Sequence, residues 1–250
     1  MKYFIITGAS KGLGKAFAEK LLHATHVLLL ISRNPDPTIS KKALIKNCQV
    51  HNVAFDLSDI ERIPELISNL IDHIGAEDCE GIYLINNAGI VEPVRKISKV
   101  SAAEVQYIYN VNLLAPVLMS SGLIRHAADI DSEKFILNIT SGAATIPHHG
   151  MSLYCSTKAG LDIFTKSISV EQQQAKNPVK IHAISPGFVK SEMLDKVMEK
   201  DKDDFADIDK FKQAKRDGLF ADPENVASNI IDLLLKGKLR HGIISHLNDY

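Results

Sequence analysis

The feature that most constrains the fold of this chain is a glycine-rich turn between an apolar run and an amphipathic stretch near its start. The apolar run covers residues 3–6, and the turn Thr-Gly-Ala-Ser-Lys-Gly-Leu-Gly follows at once as residues 7–14. Apolar side chains then recur at helical spacing over residues 16–22. This order predicts a strand, a tight turn and a helix. Glycines spaced G-x-x-x-G-x-G let the backbone approach a pyrophosphate at the helix N-terminus, so the turn predicts a dinucleotide site.

Apolar, β-branched segments recur along the rest of the chain, separated by longer stretches with helical spacing. They cover residues 27–31, 49–55, 81–85, 134–139, 179–184 and 242–245. The alternation predicts an α/β fold, a Rossmann-type doubly wound parallel sheet in a three-layer α/β/α arrangement. With 250 residues, 45% of them hydrophobic, the chain can bury one large core, so we expect a single domain over residues 1–250. Its cofactor half would cover residues 1–135, and its catalytic and substrate half residues 136–250.

The segment 199–217 differs in composition from the rest of the chain. Lys, Asp and Glu dominate it, but Phe205, Ile208 and Phe211 recur every third residue. Such a stretch is usually a solvated helix with one packed edge. Because it comes soon after Pro186 and Gly187, we favour a substrate lid over residues 188–220.

Composition excludes several kinds of partner. A net charge of −1 with 24% charged residues gives no field to recruit nucleic acid or anionic membrane. The longest apolar run, residues 27–31, is far too short to span a membrane, and no signal peptide precedes the first strand, so we expect a cytoplasmic protein. Cys48, Cys79 and Cys155 lack metal-ligand spacing, so we expect reduced cysteines and no metal.

The segment 154–160, Tyr-Cys-Ser-Thr-Lys-Ala-Gly, carries the clearest chemical signal. On a helix, Tyr154 and Lys158 would lie one turn apart on the same face. A nearby cation favours the phenolate, so we expect Lys158 to lower the pKa of Tyr154 toward the working pH and suit it to acid–base catalysis. Alone, a surface Tyr beside a solvated Lys would be the commoner interpretation.

Together these motifs resemble the short-chain dehydrogenase/reductase family, and the resemblance covers nearly the whole chain. The matching positions are residues 7–14, 56–57 and 86–89, Asn112, Ser141, residues 154–158 and residues 186–187. Within the family, segments 84–89, 112–116 and 154–160 look most like the sepiapterin reductase and benzil reductase group.

The resemblance implies hydride transfer from NADPH to a ketone or α-diketone, which becomes a secondary alcohol. Tyr154 would give the proton, and Ser141, at the end of a predicted strand, would polarise the carbonyl oxygen. Lys158 would also bond the nicotinamide ribose. Asn112 has a second argument, because Pro116 lacks the N–H that would bond the carbonyl of residue 112. In relatives the matching asparagine holds a water that links the lysine to solvent; the alternative is a proline kink used for packing alone.

Cofactor choice turns on the end of the second predicted strand. An NAD-type enzyme would place an acid about 20 residues after the glycine turn, but this chain has Ser32 and Arg33. Arg33 and Lys11 are both suited to a 2′-phosphate, which favours NADP(H). The predicted cofactor-binding residues are Gly8, Ser10, Lys11, Gly12, Leu13, Gly14, Ser32, Arg33, Asp56, Leu57, Asn87, Ala88, Gly89, Tyr154, Lys158, Pro186, Gly187, Val189 and Ser191.

Other functions stay open at this point. The same machinery could reduce a 3-oxoacyl thioester or a pterin side chain, and a non-catalytic dinucleotide sensor is an alternative of another class. His148 and His149 could reach the pocket mouth, although a surface pair is the commoner case. Relatives form homodimers or homotetramers through helices that match residues 102–126 and 156–173, and we expect the same here.

Overall fold

The computed structural model of the protein describes residues 1–250, except for the side chain of residue 76. Within this described chain, seven strands form one sheet in the order β3-β2-β1-β4-β5-β6-β7, and every neighbouring pair is parallel. The strands are β1 (Lys2–Thr7), β2 (His26–Ser32), β3 (Gln49–Ala54), β4 (Gly81–Asn86), β5 (Glu133–Ile139), β6 (Val179–Ser185) and β7 (Ile244–His246).

Helices cover both faces of the sheet. They are α1 (Gly12–Lys20), α2 (Pro37–Ile45), α3 (Ile63–Asp72), α4 (Ala102–Tyr109), α5 (Ala115–His126), α6 (Ser152–Gln172), α7 (Glu192–Met198), α8 (Ile208–Arg216) and α9 (Pro223–Leu235). Residues of α1, α2 and α9 share one apolar core with the sheet, and residues of α3, α5 and α6 share another. The predicted doubly wound, three-layer fold is confirmed.

Strand β1 shows why the central strands are apolar throughout. Phe4 and Ile6 point into the first core, whereas Tyr3 and Ile5 point into the second, because successive side chains alternate between faces. Strand β1 also lies between β2 and β4, where the chain changes direction across the sheet. Ligands of open α/β sheets bind outside the carboxyl ends of the strands at such a switch point.

The apolar stretch Ala102–His126 is long and apolar enough to cross a membrane by length and composition, but 56% of its apolar window is buried inside the protein. Burial of this kind is typical of the core helix of a globular protein. The stretch is also not one regular helix, because a π-helical turn over Asn110–Leu114 separates α4 from α5. Pro116 lacks an N–H, so the regular four-residue hydrogen bond cannot form at this place.

The predicted lid forms a small core of its own. Phe205, Ile208 and Phe211 are buried together with Val91 and Met151, which come before α6 in the chain. The alternative of one solvated helix over residues 199–217 does not describe the segment, because α8 begins only at Ile208 and a series of turns precedes it.

The cysteines are consistent with a reduced protein. In the described chain all three are free; Cys48 and Cys79 are buried, and Cys155 is half-buried.

Candidate active site

The glycine turn joins β1 to α1 at the carboxyl edge of the sheet. Gly8 and Gly12 have φ angles of 68° and 53°, which favour glycine. A Cβ on Gly14 would lie 2.1 Å from the carbonyl oxygen of Gly8, so α1 can approach the turn only without a side chain there. No side chain among the described residues caps the first turn of α1. Its N–H groups therefore fit the phosphate site that the sequence predicts.

Asn87, just after β4, fixes the shape of this turn. Its side-chain amide donates to the carbonyl oxygens of Thr7 at 2.9 Å and Gly8 at 3.4 Å. The Thr7 hydroxyl accepts from the N–H groups of Asn87 and Ala88, each at 3.0 Å. The glycine turn and the segment after β4 are therefore one hydrogen-bonded unit.

The other predicted cofactor residues of the first half follow the same edge of the sheet. Ser10 lies in the glycine turn, Leu13 is in the first turn of α1, Ser32 ends β2, and Asp56 and Leu57 follow β3. The Asp56 carboxylate accepts from the N–H of Ser58 at 2.9 Å, which closes the turn there. Their common position fits one extended ligand that crosses the sheet edge.

Tyr154 and Lys158 lie on the first two turns of α6. The Lys158 ammonium is 5.8 Å from the centre of the Tyr154 ring and donates to the carbonyl oxygen of Ile139, at the end of β5, at 2.9 Å. Lys158 is buried and Tyr154 is half-buried. The structure therefore brings the two side chains together and anchors the ammonium to the sheet.

The protonation of this pair differs from the expectation. Burial raises the pKa of the Tyr154 phenol, and the hydroxyl of Ser141 opposes that rise. The expected lowering of the Tyr154 pKa by Lys158 was wrong for this arrangement, because desolvation outweighs the favourable contacts. Burial also lowers the pKa of Lys158 to about 8, against the charge of Asp162, which raises it. Tyr154 is therefore a protonated phenol at neutral pH, and Lys158 is mostly charged.

Ser141 follows β5 and lies on the same side of the cleft. Its hydroxyl accepts from the N–H of Ala143 at 3.2 Å and so caps the short 3₁₀ turn Gly142–Ala144. It also acts on the Tyr154 phenol, as its effect on the pKa of that group shows. Ser141 therefore forms the turn, and its place on the Tyr154 side of the cleft leaves the site interpretation a prediction.

The Asn112 side chain clamps the segment that follows β4. Its amide nitrogen donates to the carbonyl oxygen of Ile90 at 2.7 Å, and its oxygen accepts from the N–H of Ile90 at 2.8 Å. A Cβ on Gly89 would lie 3.5 Å from the Asn112 oxygen and 3.6 Å from the Lys158 ammonium. The Asn112 and Lys158 side chains therefore both border Gly89, and Asn112 lies within the π-helical turn. Helical spacing alone gives no sign of that turn.

The two predicted phosphate-binding cations have different surroundings. The exposed Arg33 guanidinium donates to the Tyr107 hydroxyl at 3.0 Å, which orients it beside the end of β2. Lys11 instead pairs with Glu192 on α7 at 2.5 Å, so the glycine turn is linked to the predicted lid. The sequence predicted neither Tyr107 nor Glu192 as a partner, because both contacts are far apart along the chain.

An acid does lie near the end of β2, but it is already engaged. The Asp36 carboxylate accepts from the N–H of Thr38 at 2.8 Å and caps α2. It also pairs with Lys15 at 2.7 Å, and these contacts lower the pKa of Asp36 to about 2. The Asp36 carboxylate is therefore already engaged and is not available to bind a ribose hydroxyl.

The segment after β6 begins with Pro186 and with Gly187 at a φ of 76°. Val189 pairs with Ala221 in an isolated β-bridge, which fixes the start of the lid. The Ser191 hydroxyl accepts from the N–H of Leu194 at 3.4 Å and caps α7. This cap accounts for a hydroxyl residue at position 191 independently of any ligand.

His148 and His149 join the loop before α6 to the lid rather than stand free on the surface. His148 Nδ1 lies 3.0 Å from the Asp207 carboxylate, and His149 Nδ1 accepts from the N–H of Ala206 at 3.3 Å. Gly150 follows at a φ of 78°, and a Cβ there would lie 2.0 Å from the carbonyl oxygen of Asp204. The lid and the loop before α6 therefore make direct backbone contact at Gly150.

No cluster of three metal-ligating side chains occurs in the described part of the chain. A cavity of about 610 Å³ lies at the amino ends of β4, β5 and β6, on the edge of the sheet opposite Tyr154 and Lys158. We place the chemistry at the carboxyl edge, because the titratable side chains and the glycine turn converge there.

A doubly wound parallel sheet with a phosphate-type glycine turn at its switch point, and with a buried Lys beside a half-buried Tyr next to it, defines a dinucleotide-binding oxidoreductase class. The short chain dehydrogenase family model matches residues 2–202. The chain belongs to the short-chain dehydrogenase/reductase family, and its members use a nicotinamide cofactor. The glycines, the free N–H groups of α1 and the open side of Gly187 fit such a cofactor.

Similar proteins include two benzil reductases that form (S)-benzoin. The one from Bacillus cereus is 36% identical over 253 residues and covers 100% of both chains. The one from Bacillus subtilis (strain 168) is 38% identical over 237 residues and covers 95% of each. Among solved structures, the KRED1-Pglu enzyme is 24% identical with a TM-score of 0.82, covering 98% of this chain and 100% of that one, which supports the fold.

Proposed function

We propose that this protein is an NADPH-dependent reductase that converts a ketone or α-diketone carbonyl into a secondary alcohol, with Tyr154 as the general acid. The observation that carries the proposal is the convergence of Tyr154, Lys158, Ser141 and Asn112 at the sheet edge beside the glycine turn. The full-length likeness to benzil reductases supports a carbonyl substrate.

Each side chain has a task that follows from its surroundings. Tyr154 is protonated at neutral pH, so it can deliver a proton to the alkoxide that develops on the substrate. The Ser141 hydroxyl donates to the carbonyl oxygen and positions it. Lys158, a cation in a desolvated setting, stabilises the phenolate that remains on Tyr154. The reduced nicotinamide, when bound, supplies the hydride.

The proposed preference for NADPH rests on the end of β2. Arg33 is exposed there, and its contact with Tyr107 orients the guanidinium. Asp36, the acid close by, is held by Lys15 and by the N-terminus of α2. A 2′-phosphate could therefore accept hydrogen bonds from the Arg33 N–H groups that Tyr107 does not use, whereas the nearby Asp36 carboxylate is not available to a ribose diol.

The walls of the cleft favour a bulky apolar substrate. Tyr154 packs at the edge of the lid core, and so do Met193 and Leu194 on α7. The apolar side chains of α7 differ in burial, because Val197 and Met198 are buried in that core while Met193 and Leu194 stay half-buried. Aryl ketones and diketones suit such a surface better than small hydroxylated ones do.

The test measures NADPH oxidation with benzil, 1-phenyl-1,2-propanedione, sepiapterin and acetoacetyl thioesters, with the Tyr154→Phe variant as the blank. We expect the aryl diketones to be the best substrates. A clear preference for the thioester would favour a 3-oxoacyl thioester reductase instead. NADPH binding without turnover on any of these compounds would favour the sensor alternative.

The proposal extends to assembly and location. Ile163 and Val170 on α6 are 61% and 60% exposed, and Tyr107 and Leu114 are exposed on the neighbouring helical stretch. This apolar surface supports a homodimer or homotetramer formed through α4, α5 and α6. We also propose a cytoplasmic protein, in keeping with its free cysteines.

A further inference from the structure

Asp162 continues the spacing of the catalytic pair along α6. Tyr154, Lys158 and Asp162 follow one another at intervals of four residues, so they lie on successive turns of one helix face. This face points into the protein, where Lys158 is 4% exposed and Asp162 is 8% exposed. The tasks assigned above make no use of this carboxyl group.

Lys158 has few groups that can balance its charge. Its ammonium donates to the carbonyl oxygen of Ile139 and lies against the Tyr154 ring, and both of these groups are neutral. Among the residues that the structure describes, Asp162 is the charged group that acts on it. A buried ammonium without a counter-ion is costly and loses its proton more easily.

The Asp162 carboxyl group faces several elements. The Thr140 hydroxyl at the end of β5 and the charges of Lys158, Lys166 and His246 lower its pKa, while burial raises it further than they lower it. Within the described chain, neither its Oδ1 nor the nearby Thr140 hydroxyl oxygen has a partner within normal hydrogen-bond distance. Buried carboxyl groups are normally fully bonded, so a partly unbonded one that lies one helical turn from a buried cation calls for an explanation, which an electrostatic role would supply.

We propose that Asp162 is the counter-ion that keeps Lys158 protonated, and is therefore a positioning residue for proton delivery at Tyr154. The inference rests on the proposed function. Its physical content is that the negative charge favours the ammonium of Lys158 and disfavours the phenolate of Tyr154. Loss of that charge makes both groups release their protons at lower pH.

Two measurements on the full-length protein test the proposal. The first follows the ¹³Cε resonance of Lys158 against pH in the native protein and in Asp162→Asn, and Lys158→Met assigns the resonance. We expect the midpoint to fall by about one pH unit or more, the effect of an opposite charge one helical turn away. This measurement needs no turnover, so it stands even if the proposed function fails.

The second measurement is the pH profile of kcat/KM for the best diketone. The alkaline limb should move to lower pH in Asp162→Asn. It should move less in Thr140→Val, which removes only a hydroxyl that favours the charged carboxylate. Glu171→Gln is the matched control, since it makes the same acid-to-amide change about 20 Å along α6 from Lys158 and should move neither readout. An unmoved Lys158 midpoint in a folded Asp162→Asn protein would show that Asp162 is neutral and would overturn the proposal.

Discussion

Tyr154 is held as a protonated phenol because its surroundings exclude water more strongly than they stabilise a negative charge. The same desolvation brings the pKa of Lys158 down to about 8. For a reductase this combination is useful, since the acid must carry its proton when the alkoxide forms. At the scale of single residues, burial thus sets the direction in which the pKa values of Tyr154 and Lys158 shift, and neighbouring charges adjust the size of the shifts.

Replacing Tyr154 with Phe should lower kcat by about 10²- to 10⁴-fold, because only the proton donor is lost. NADPH affinity should stay within a few-fold of the native value, since the Lys158 contact with Ile139 remains. Turnover and NADPH fluorescence titration on the same sample give both numbers. Substantial residual turnover would exclude Tyr154 as the acid.

Replacing Arg33 with Asp should weaken NADPH binding by more than about tenfold, because one charge-assisted hydrogen bond is worth about 1.5–3 kcal/mol. NADH affinity should hold or rise, because an acid at this position can bond the ribose 2′-hydroxyl, so NADH is the internal control. Fluorescence titration with both cofactors measures the difference. Equal efficiency of the native protein with NADPH and NADH would contradict the assignment of Arg33.

At the scale of elements, the lid is held by contacts with the loop that precedes α6, and not only by its covalent connections at residues 188 and 220. The histidine contacts at residues 148 and 149 and the close approach at Gly150 hold α8 and the turns before it against the segment that leads into α6. Lys11 and Glu192 connect the glycine turn to α7 in the same way. A displacement of the lid should therefore affect both the glycine turn and the loop before α6, which lie on the two sides of the cleft.

Gly150→Ala should displace the lid, because the new methyl group would meet the carbonyl oxygen of Asp204 at 2.0 Å and the φ of 78° disfavours alanine. We expect a loss of at least about 1 kcal/mol in the free energy of unfolding and a raised KM for aryl diketones. Denaturant unfolding and steady-state kinetics measure the two effects.

Gly142→Ala is the matched control in the same loop, since a Cβ there meets no atom within 4 Å. It should leave KM unchanged. Similar behaviour of the two variants would mean that the close approach at Gly150 does not hold the lid.

The elements also show what sequence can predict and where it stops. Apolar alternation and glycine spacing predicted the sheet, the turn and the helix that carries Tyr154 and Lys158, because each depends on local periodicity. The π-helical turn at Asn110–Leu114 was missed, since it changes the backbone by one residue without changing the apolar pattern. The contacts of Lys11 with Glu192 and of Arg33 with Tyr107 join distant segments, and composition carries no signal for them.

At the scale of the whole molecule, two sets of helices carry exposed large apolar side chains on which a second copy could pack. One set is α6 with the stretch from α4 to α5, where Ile163 and Val170 are exposed. The other is the end of α2, where Leu44 and Ile45 are exposed beside the edge strand β3. Only the first set lies next to the catalytic pair, so an interface there would also stiffen the helix that carries Tyr154.

Ile163→Lys should therefore dissociate the assembly, because a lysine on the exposed face of α6 would have to be desolvated when two copies pack together. Light scattering at micromolar concentration should give a dimer or tetramer for the native protein and a smaller mass for the variant. Ile45→Lys is the matched control, because Ile45 is 80% exposed on α2 and lies outside the proposed interface. Its mass should equal that of the native protein. A native protein that is already monomeric would contradict the proposed assembly, and dissociation of Ile45→Lys alone would move the interface to α2.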